Sequence, residues 1–310
     1  LGALNILLAS SDKVAIPICD YLIQNHGLKQ VITGPDKPTG RGRNLIPNDF
    51  SAYCSMRGLE VLKPENDADL NSLLEEIKPD LIVTAAYGRL IKKHQLTMPT
   101  RGWLNIHFSL LPRWRGAAPV QFTILNGDEL SGVTVFKLDV GLDTGPVYDS
   151  VEYRLKGNET SEELLDTLSK LAVKPLDESL RKIDIGLDPI PQSSDQITLA
   201  PKLSKTDGQM DWSADSISLE RKVRAFSPWP GAWSRLNGKQ ITILQAEVSK
   251  SPRGKDSANG TLNLTPELAV KCGEGLLILK RVKPEGKKEM SADEWVRGIQ
   301  NREHLQFETI

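Results

Sequence analysis

No stretch of this 310-residue chain approaches the roughly 20 consecutive apolar residues that a membrane-crossing helix needs. The opening Leu1–Ala9 is apolar, but it has neither the basic leader nor the longer apolar core of a signal peptide, and it reads as a first strand. Cysteine is scarce: Cys19, Cys54 and Cys272 are odd in number and far apart, which excludes a disulfide framework and a Cys-based zinc site. Packed thiols in a reducing cytoplasm are the expectation. His26, His94 and His304 are scattered, and no metal site is expected. The turn after the first strand, Leu8-Ala9-Ser10-Ser11-Asp12-Lys13, has no G-x-G-x-x-G, and the chain has no G-x-x-x-x-G-K-[ST] string and no serine-hydrolase elbow. A dinucleotide cofactor, nucleotide hydrolysis and serine-ester chemistry are therefore without support.

Excess charge is also lacking. Residues 1–205 carry 23 basic and 26 acidic side chains, net −3, and residues 206–310 carry 16 and 14, net +2. A polyanionic partner would have to be held by local clusters and not by the global field. Two clusters exist. Lys37, Arg41 and Arg43 lie in the Gly- and Pro-rich stretch 34–47, and Lys280, Arg281, Lys283, Lys287 and Lys288 lie near the C-terminus. Each is either a solvated loop or face, or part of one extended phosphate-binding surface.

What is present is alternation. Short β-rich runs at Leu4–Ala9, Gln30–Thr33, Leu59–Leu62, Leu81–Ala85, Trp103–His107, Gly132–Lys137 and Val147–Tyr153 are interleaved with helical patterns at Ala15–Asn25, Ala68–Ile77, Ala118–Asn126 and Ser161–Ile183. This pattern predicts an α/β fold with a mainly parallel, Rossmann-like sheet over residues 1–185. A connector rich in Pro and Ser is expected at 186–205. Beyond it, one helix (Ser216–Ala225) and several short strands predict a small C-terminal β-barrel or sandwich over 206–310.

Chemistry concentrates at Leu104–Pro119 and Asp139–Gly145. Strand alternation puts Asn105 and His107 on one face and Leu104 and Ile106 on the other, at the end of a strand where α/β folds form their ligand crevice. An amide, an imidazole and a carboxylate suit acyl transfer to an amine. Asn105 and a protonated His107 can donate to a tetrahedral oxyanion, and a carboxylate can favour imidazolium and accept the proton the amine sheds. Asp143 is the expected carboxylate, with Asp139 as the rival that shapes the loop.

These residues are similar to a known family. Asn105-Ile106-His107 with Ser109-Leu110-Leu111-Pro112 and Asp143 resembles the signature of the folate-dependent formyltransferases. Arg113–Pro119, the stretch Pro35–Gly42, and Lys202–Lys205, Asp211-Trp212, Arg224–Pro230 and Pro284–Met290 resemble its methionyl-tRNA formyltransferase branch. The resemblance implies catalysis by Asn105, His107 and Asp143, with 10-formyltetrahydrofolate as co-substrate. It implies a folate site of Tyr87, Gly88, Leu90, Ile91, Ser109–Pro112, Leu138, Asp139 and Val140. Its further implications are an oligonucleotide-binding-like C-terminal domain, contact of Arg41 with initiator methionyl-tRNA, and a monomer.

One departure stands out: the family's usual Gly-Thr-Pro-x-Phe-Ala after the first strand is replaced here by Ser10-Ser11-Asp12-Lys13-Val14-Ala15. Two other readings stay open from the residues. One is a formyltransferase with a small amine acceptor. The other is a non-catalytic RNA-binding protein on the same scaffold.

Overall fold

The computed structural model describes residues 4–39, 44–250, 257–265, 267–299, 302 and 304–308. Arg41 and Arg43 lie outside the described residues. Contacts divide the chain into two units: residues 1–119, 130–154 and 165–200 form the first, and 120–129, 155–164 and 201–310 the second.

The first unit is built on a seven-stranded sheet: β1 (Ile6–Ala9), β2 (Gln30–Ile32), β3 (Glu60–Leu62), β4 (Leu81–Thr84), β5 (Trp103–His107), β6 (Leu130–Lys137) and β7 (Val147–Arg154). The spatial order is β7-β6-β5-β4-β1-β2-β3. Five strands, β3 through β5 across the sheet, run parallel, and β6 is antiparallel to both β5 and β7. The parallel pairing is legible in β1 and β4, which are buried at every position, as parallel strands covered on both faces are. Helix Asp67–Ile77 begins at a capping box in which the Asn66 side chain accepts from the Ala68 and Asp69 amides. Helix Asp49–Met56 is capped by Asn48, whose oxygen accepts from the Ser51 amide. The pattern expected as one helix over Ser161–Ile183 is two, Ser161–Leu171 and Val173–Asp184, joined at Ala172.

The chain after β7 does not leave the first unit as a bare connector. Ile190 exchanges both backbone hydrogen bonds with Val147 (2.7 and 2.8 Å), and Leu199–Ala200 pairs in parallel with Arg115–Gly116. Residues 190–200 thus run along the loop that follows β5. Leu199 and Ala200 have extended backbones there because their partners Arg115 and Gly116 need somewhere to satisfy peptide groups beyond the sheet.

The second unit holds an antiparallel sheet: Ala232–Leu236, Lys239–Val248, Leu276–Pro284, Ala269–Lys271 and Leu262–Asn263 in spatial order, with Met290–Ser291 paired to Leu276–Pro284. Helix Ser216–Ala225 packs on it, as its apolar positions Leu219 and Val223 at i, i+4 require. Its core centres on Trp212, fully buried and stacked on Phe307 with ring centroids 5.1 Å apart. No helix of the described residues is long and apolar enough to cross a membrane.

The strand that carries the site is anchored by Trp103, fully buried, whose indole N–H donates to the Gln95 carbonyl at 2.8 Å. Trp103→Ala is expected to destabilise the first unit by about 3–5 kcal/mol, from lost burial and the cavity left behind. Urea unfolding followed by circular dichroism measures it, and a loss below about 1 kcal/mol would contradict this account of the core.

Candidate active site

Asn105 lies in register with Thr84 of β4 and Phe136 of β6, and His107 with Thr134. Asn105 is therefore fixed by ladder pairing on two sides and His107 on one, at the C-terminal end of the parallel strands. The Asn105 carboxamide is oriented by Thr84, whose hydroxyl donates to its Oδ1 at 2.7 Å. The Asn105 Nδ2 makes no hydrogen bond with any described residue, so this half-buried amide keeps its two N–H groups for a ligand.

His107 is 5% exposed. Its Nε2 donates to the Trp114 carbonyl at 2.8 Å, and its Nδ1 faces Asp143 Oδ2 at 3.7 Å. Asp143 Oδ2 also accepts the Gly116 backbone N–H at 2.8 Å. Both partners of His107 come from left-handed backbone: Trp114 has φ 61° and Asp143 φ 53°. Non-glycine residues hold that conformation, at a cost of order 1–3 kcal/mol each, only when their surroundings impose it. Gly116 has φ 126°, and a Cβ there would run into the carbonyl oxygen of Ala200. Glycine is required where the loop meets the 190–200 segment.

A carboxylate beside His107 is expected from the sequence to favour imidazolium. The balance goes the other way. Burial pushes the His107 pKa below the ordinary histidine value, and the opposing pull of Asp143 and the Trp114 carbonyl does not offset it. The ring is neutral near pH 7, and with Nε2 donating, Nδ1 carries the lone pair. Its one N–H is held by Trp114, so the expected direct donation from a resident imidazolium does not describe this state.

Asp139 turns onto its own loop, where Oδ1 accepts from the Gly141 amide (3.0 Å) and the Thr144 hydroxyl (2.7 Å). Of the two carboxylates, Asp143 is the one beside His107. Ser109 is buried, with its hydroxyl donating to the Arg113 carbonyl at 2.6 Å. Thr134 ties down the rest of Ser109–Pro112: its hydroxyl donates to the Ser109 carbonyl and accepts from the Leu111 amide. Tyr87 is buried, and Ile91 and Leu138 pack on the apolar cluster that includes Tyr87 and Trp103. The loops 87–91 and 138–143 therefore share one base. Above it, Leu90, Val140 and Leu142 are 77%, 72% and 62% exposed. These are large apolar side chains facing solvent.

A cavity of about 560 Å³ opens beyond the ends of β1, β2 and β4, lined in part by Ser11, Asp12, Lys37, Asn48, Tyr87 and Arg89. Asn105, His107 and Asp143 are not among its lining residues. Tyr87 and Gly88 line it and also belong to the expected folate loop. Asn48 escaped the sequence reading, although it was legible as a helix cap, and Arg89 falls inside the 87–91 stretch expected to border the folate. Lys37 sits in a hairpin of Lys37–Thr39 with Asn44–Ile46.

The second unit's basic residues are unequal. Lys280 is paired with Glu267 (3.0 Å) and Glu247 (3.4 Å), and Arg281 with Glu289 (2.7 Å). Exposed Lys283, Lys287 and Lys288 form no ion pair with the described residues. Among the described residues no cluster of His, Cys, Asp and Glu could hold a metal ion.

Residues 6–180 match the model of the formyl transferase family, and 202–300 that of the formyl transferase C-terminal domain. The chain belongs to the formyl transferase family and is an enzyme of that class. Within the family it is similar to proteins named methionyl-tRNA formyltransferase. That of Streptomyces coelicolor is 38% identical over 95% of this chain and 96% of its own length. That of Paenarthrobacter aurescens is 37% identical over 98% and 100%.

Solved structures share the fold. An N-formyltransferase from Helicobacter canadensis in complex with folinic acid and dTDP-3-aminofucose has TM-score 0.67 at 17% identity, over 93% of this chain and 100% of that one. HypX from Aquifex aeolicus in complex with tetrahydrofolic acid has TM-score 0.63 at 20% identity, over all of this chain and 51% of that one, so this chain spans about half of HypX. Methionyl-tRNA formyltransferase from Clostridium thermocellum has TM-score 0.59 at 16% identity, over 80% and 95%.

Because only Asp143 raises the His107 pKa through charge, Asp143→Asn should move the His107 titration further down. Imidazole NMR shifts followed from pH 4 to 8 measure this. An unchanged or raised midpoint would show that the carboxylate does not act on the ring.

Proposed function

We propose that this chain transfers the formyl group of 10-formyltetrahydrofolate to the amino group of initiator methionyl-tRNA. One observation carries the reading: His107 faces Asp143 at the strand end where Asn105 keeps a free amide, in a chain similar along nearly its whole length to methionyl-tRNA formyltransferases. Residues 1–185 would perform the transfer and 206–310 would grip the tRNA.

The amine attacks the formyl carbon and makes a tetrahedral oxyanion. The Asn105 Nδ2 donates to that oxygen, and a single such donor contributes roughly 3 kcal/mol. The nitrogen, now cationic, gives up a proton to the His107–Asp143 pair. His107 accepts at Nδ1, where Asp143 stabilises the imidazolium that forms. That cation then helps hold the oxyanion and returns the proton to the departing folate nitrogen. A ring that is neutral at rest is what the proton-accepting step requires.

The folate would lie against Tyr87, Gly88, Leu90 and Ile91 on one side and Leu138, Asp139 and Val140 on the other, with Ser109–Pro112 at the border. The exposed Leu90 and Val140 support this, since a flat heterocycle would cover them. Lys37 lines the nearby cavity. Arg41 and Arg43 follow in sequence, and Lys283, Lys287 and Lys288 are the members of the 280–288 cluster without a carboxylate partner among the described residues. Lys280 and Arg281 would have to leave their glutamates to bind phosphate.

The test is formylation of charged initiator tRNA by purified protein with 10-formyltetrahydrofolate, run beside small-amine acceptors and an amino-sugar nucleotide. Turnover of a small acceptor alone would overturn the tRNA assignment. Asn105→Ala should lower kcat by about 10²–10³-fold with little change in the KM for folate, measured in the same assay. A rise confined to KM would instead make Asn105 a binding group.

A further inference from the structure

We propose that Gln192 is a positioning residue of this site, locking the backbone at Asp143 so that its carboxylate faces His107. The inference rests on the transfer reading for its kinetic part alone.

The case begins with hydrogen-bond capacity. A glutamine side chain has two N–H donors and an oxygen with two lone pairs. Gln192 uses all four. Its Nε2 donates to the carbonyls of Asp143 and Gly145, both at 2.8 Å, and its Oε1 accepts from Arg115 Nη2 (2.7 Å) and Nε (3.1 Å). The two loops it joins are those that act on His107. One runs through Trp114, whose carbonyl takes the Nε2 proton, and the other contains Asp143. The same loops meet once more where the Gly116 amide donates to Asp143 Oδ2.

Gln192 is itself held on both sides. Two residues earlier, Ile190 exchanges backbone hydrogen bonds with Val147, and later Thr198 receives the Trp114 amide on its hydroxyl and the Arg115 amide on its carbonyl. Asp143 holds a left-handed backbone, φ 53°, that a side-chain-bearing residue does not keep unaided. Fixing its carbonyl and that of Gly145 from one amide supplies the missing restraint. The 3.7 Å between Asp143 and His107 exceeds a direct hydrogen bond, so this approach is set by the loops and not by the pair itself.

Two variants separate this role from simple packing. Gln192→Met fills similar space and has no hydrogen bonds. Gln192→Leu likewise offers no donor to the Asp143 and Gly145 carbonyls and adds no charge beside His107. Histidine-labelled protein is titrated by NMR, with the His107 resonance assigned by its loss in His107→Gln, and thermal unfolding confirms that each variant folds. In both variants the His107 midpoint should fall, because Asp143 is the one charged group that raises it. The kcat for formyl transfer should drop at least tenfold, with both KM values within about threefold.

A His107 titration unmoved in a folded variant overturns the proposal whatever the kinetics, and one that moves while kcat stays at the parent value overturns the catalytic part. If Gln192→Met does not fold, Gln192→Leu decides alone. If the parent protein formylates nothing, the transfer reading fails while the titration still judges Gln192.

Discussion

The burial of one imidazole between a carbonyl and a carboxylate sets the demands that the catalytic end of the first unit must meet. His107 is too deeply placed to carry a charge at rest, yet it is paired with an acid that would stabilise that charge once formed. Burial favours the neutral ring, and the acid beside it favours the charged one. The surrounding polypeptide spends its irregularities on that balance. Trp114 and Asp143 take left-handed backbone, and Gly116 sits where no side chain fits. The chain returns at 190–200 to hold the loops from outside.

Much of this was readable in the amino acids. Trp103–His107, Ser216–Ala225 and Ala232–Leu236 have the bounds that their patterns imply, and the other strands of the parallel sheet differ by a residue or two. The parallel core was legible because buried strands with intervening amphipathic helices leave few other arrangements. What was illegible has a common character. The hairpin of Lys37–Thr39 with Asn44–Ile46, the pairing of Leu199–Ala200 with Arg115–Gly116, and the clasp of Gln192 depend on partners distant in sequence. No local periodicity records them. A Pro- and Ser-rich stretch looks like a connector whether it hangs in solvent or lies bonded along a loop. The state of His107 was misjudged for a similar reason. A nearby acid is visible in a motif, while the depth of burial that outweighs it is a property of the packed whole.

Electrostatics in the second unit follow the same lesson at the surface. Counting lysines and arginines along 280–288 suggests a uniform basic patch, but the glutamates at 247, 267 and 289 neutralise part of it. Exposed pairs of this kind contribute little to stability and are screened by salt, so they can be exchanged for phosphate contacts at small cost. A surface arranged in this way would offer a polyanion a few lysines that have no ion pair with the described residues and a set of replaceable pairs. It also keeps the free protein near neutrality.

The turn after β1 shows how a departure from the family pattern is absorbed. Where relatives resembling this chain have Gly-Thr-Pro, Ser10-Ser11-Asp12 supplies three side chains with oxygen acceptors. Asp12 accepts from the Val14 amide and so starts the short helix at Lys13–Ala15. Ser10 bonds within the turn, its hydroxyl donating to the Asp12 carbonyl. Ser11 reaches across it, accepting the Gly34 amide at 3.0 Å and donating to the Tyr87 carbonyl at 3.3 Å. One hydroxyl thus ties three loops that line the 560 Å³ cavity: the first turn, the Gly34–Lys37 segment and the Tyr87–Arg89 segment. In this chain that part of the cavity wall is held together by side-chain hydrogen bonds. Because Tyr87 also belongs to the expected folate loop, the same hydroxyl connects the cavity wall to the apolar cluster on which Ile91 and Leu138 pack.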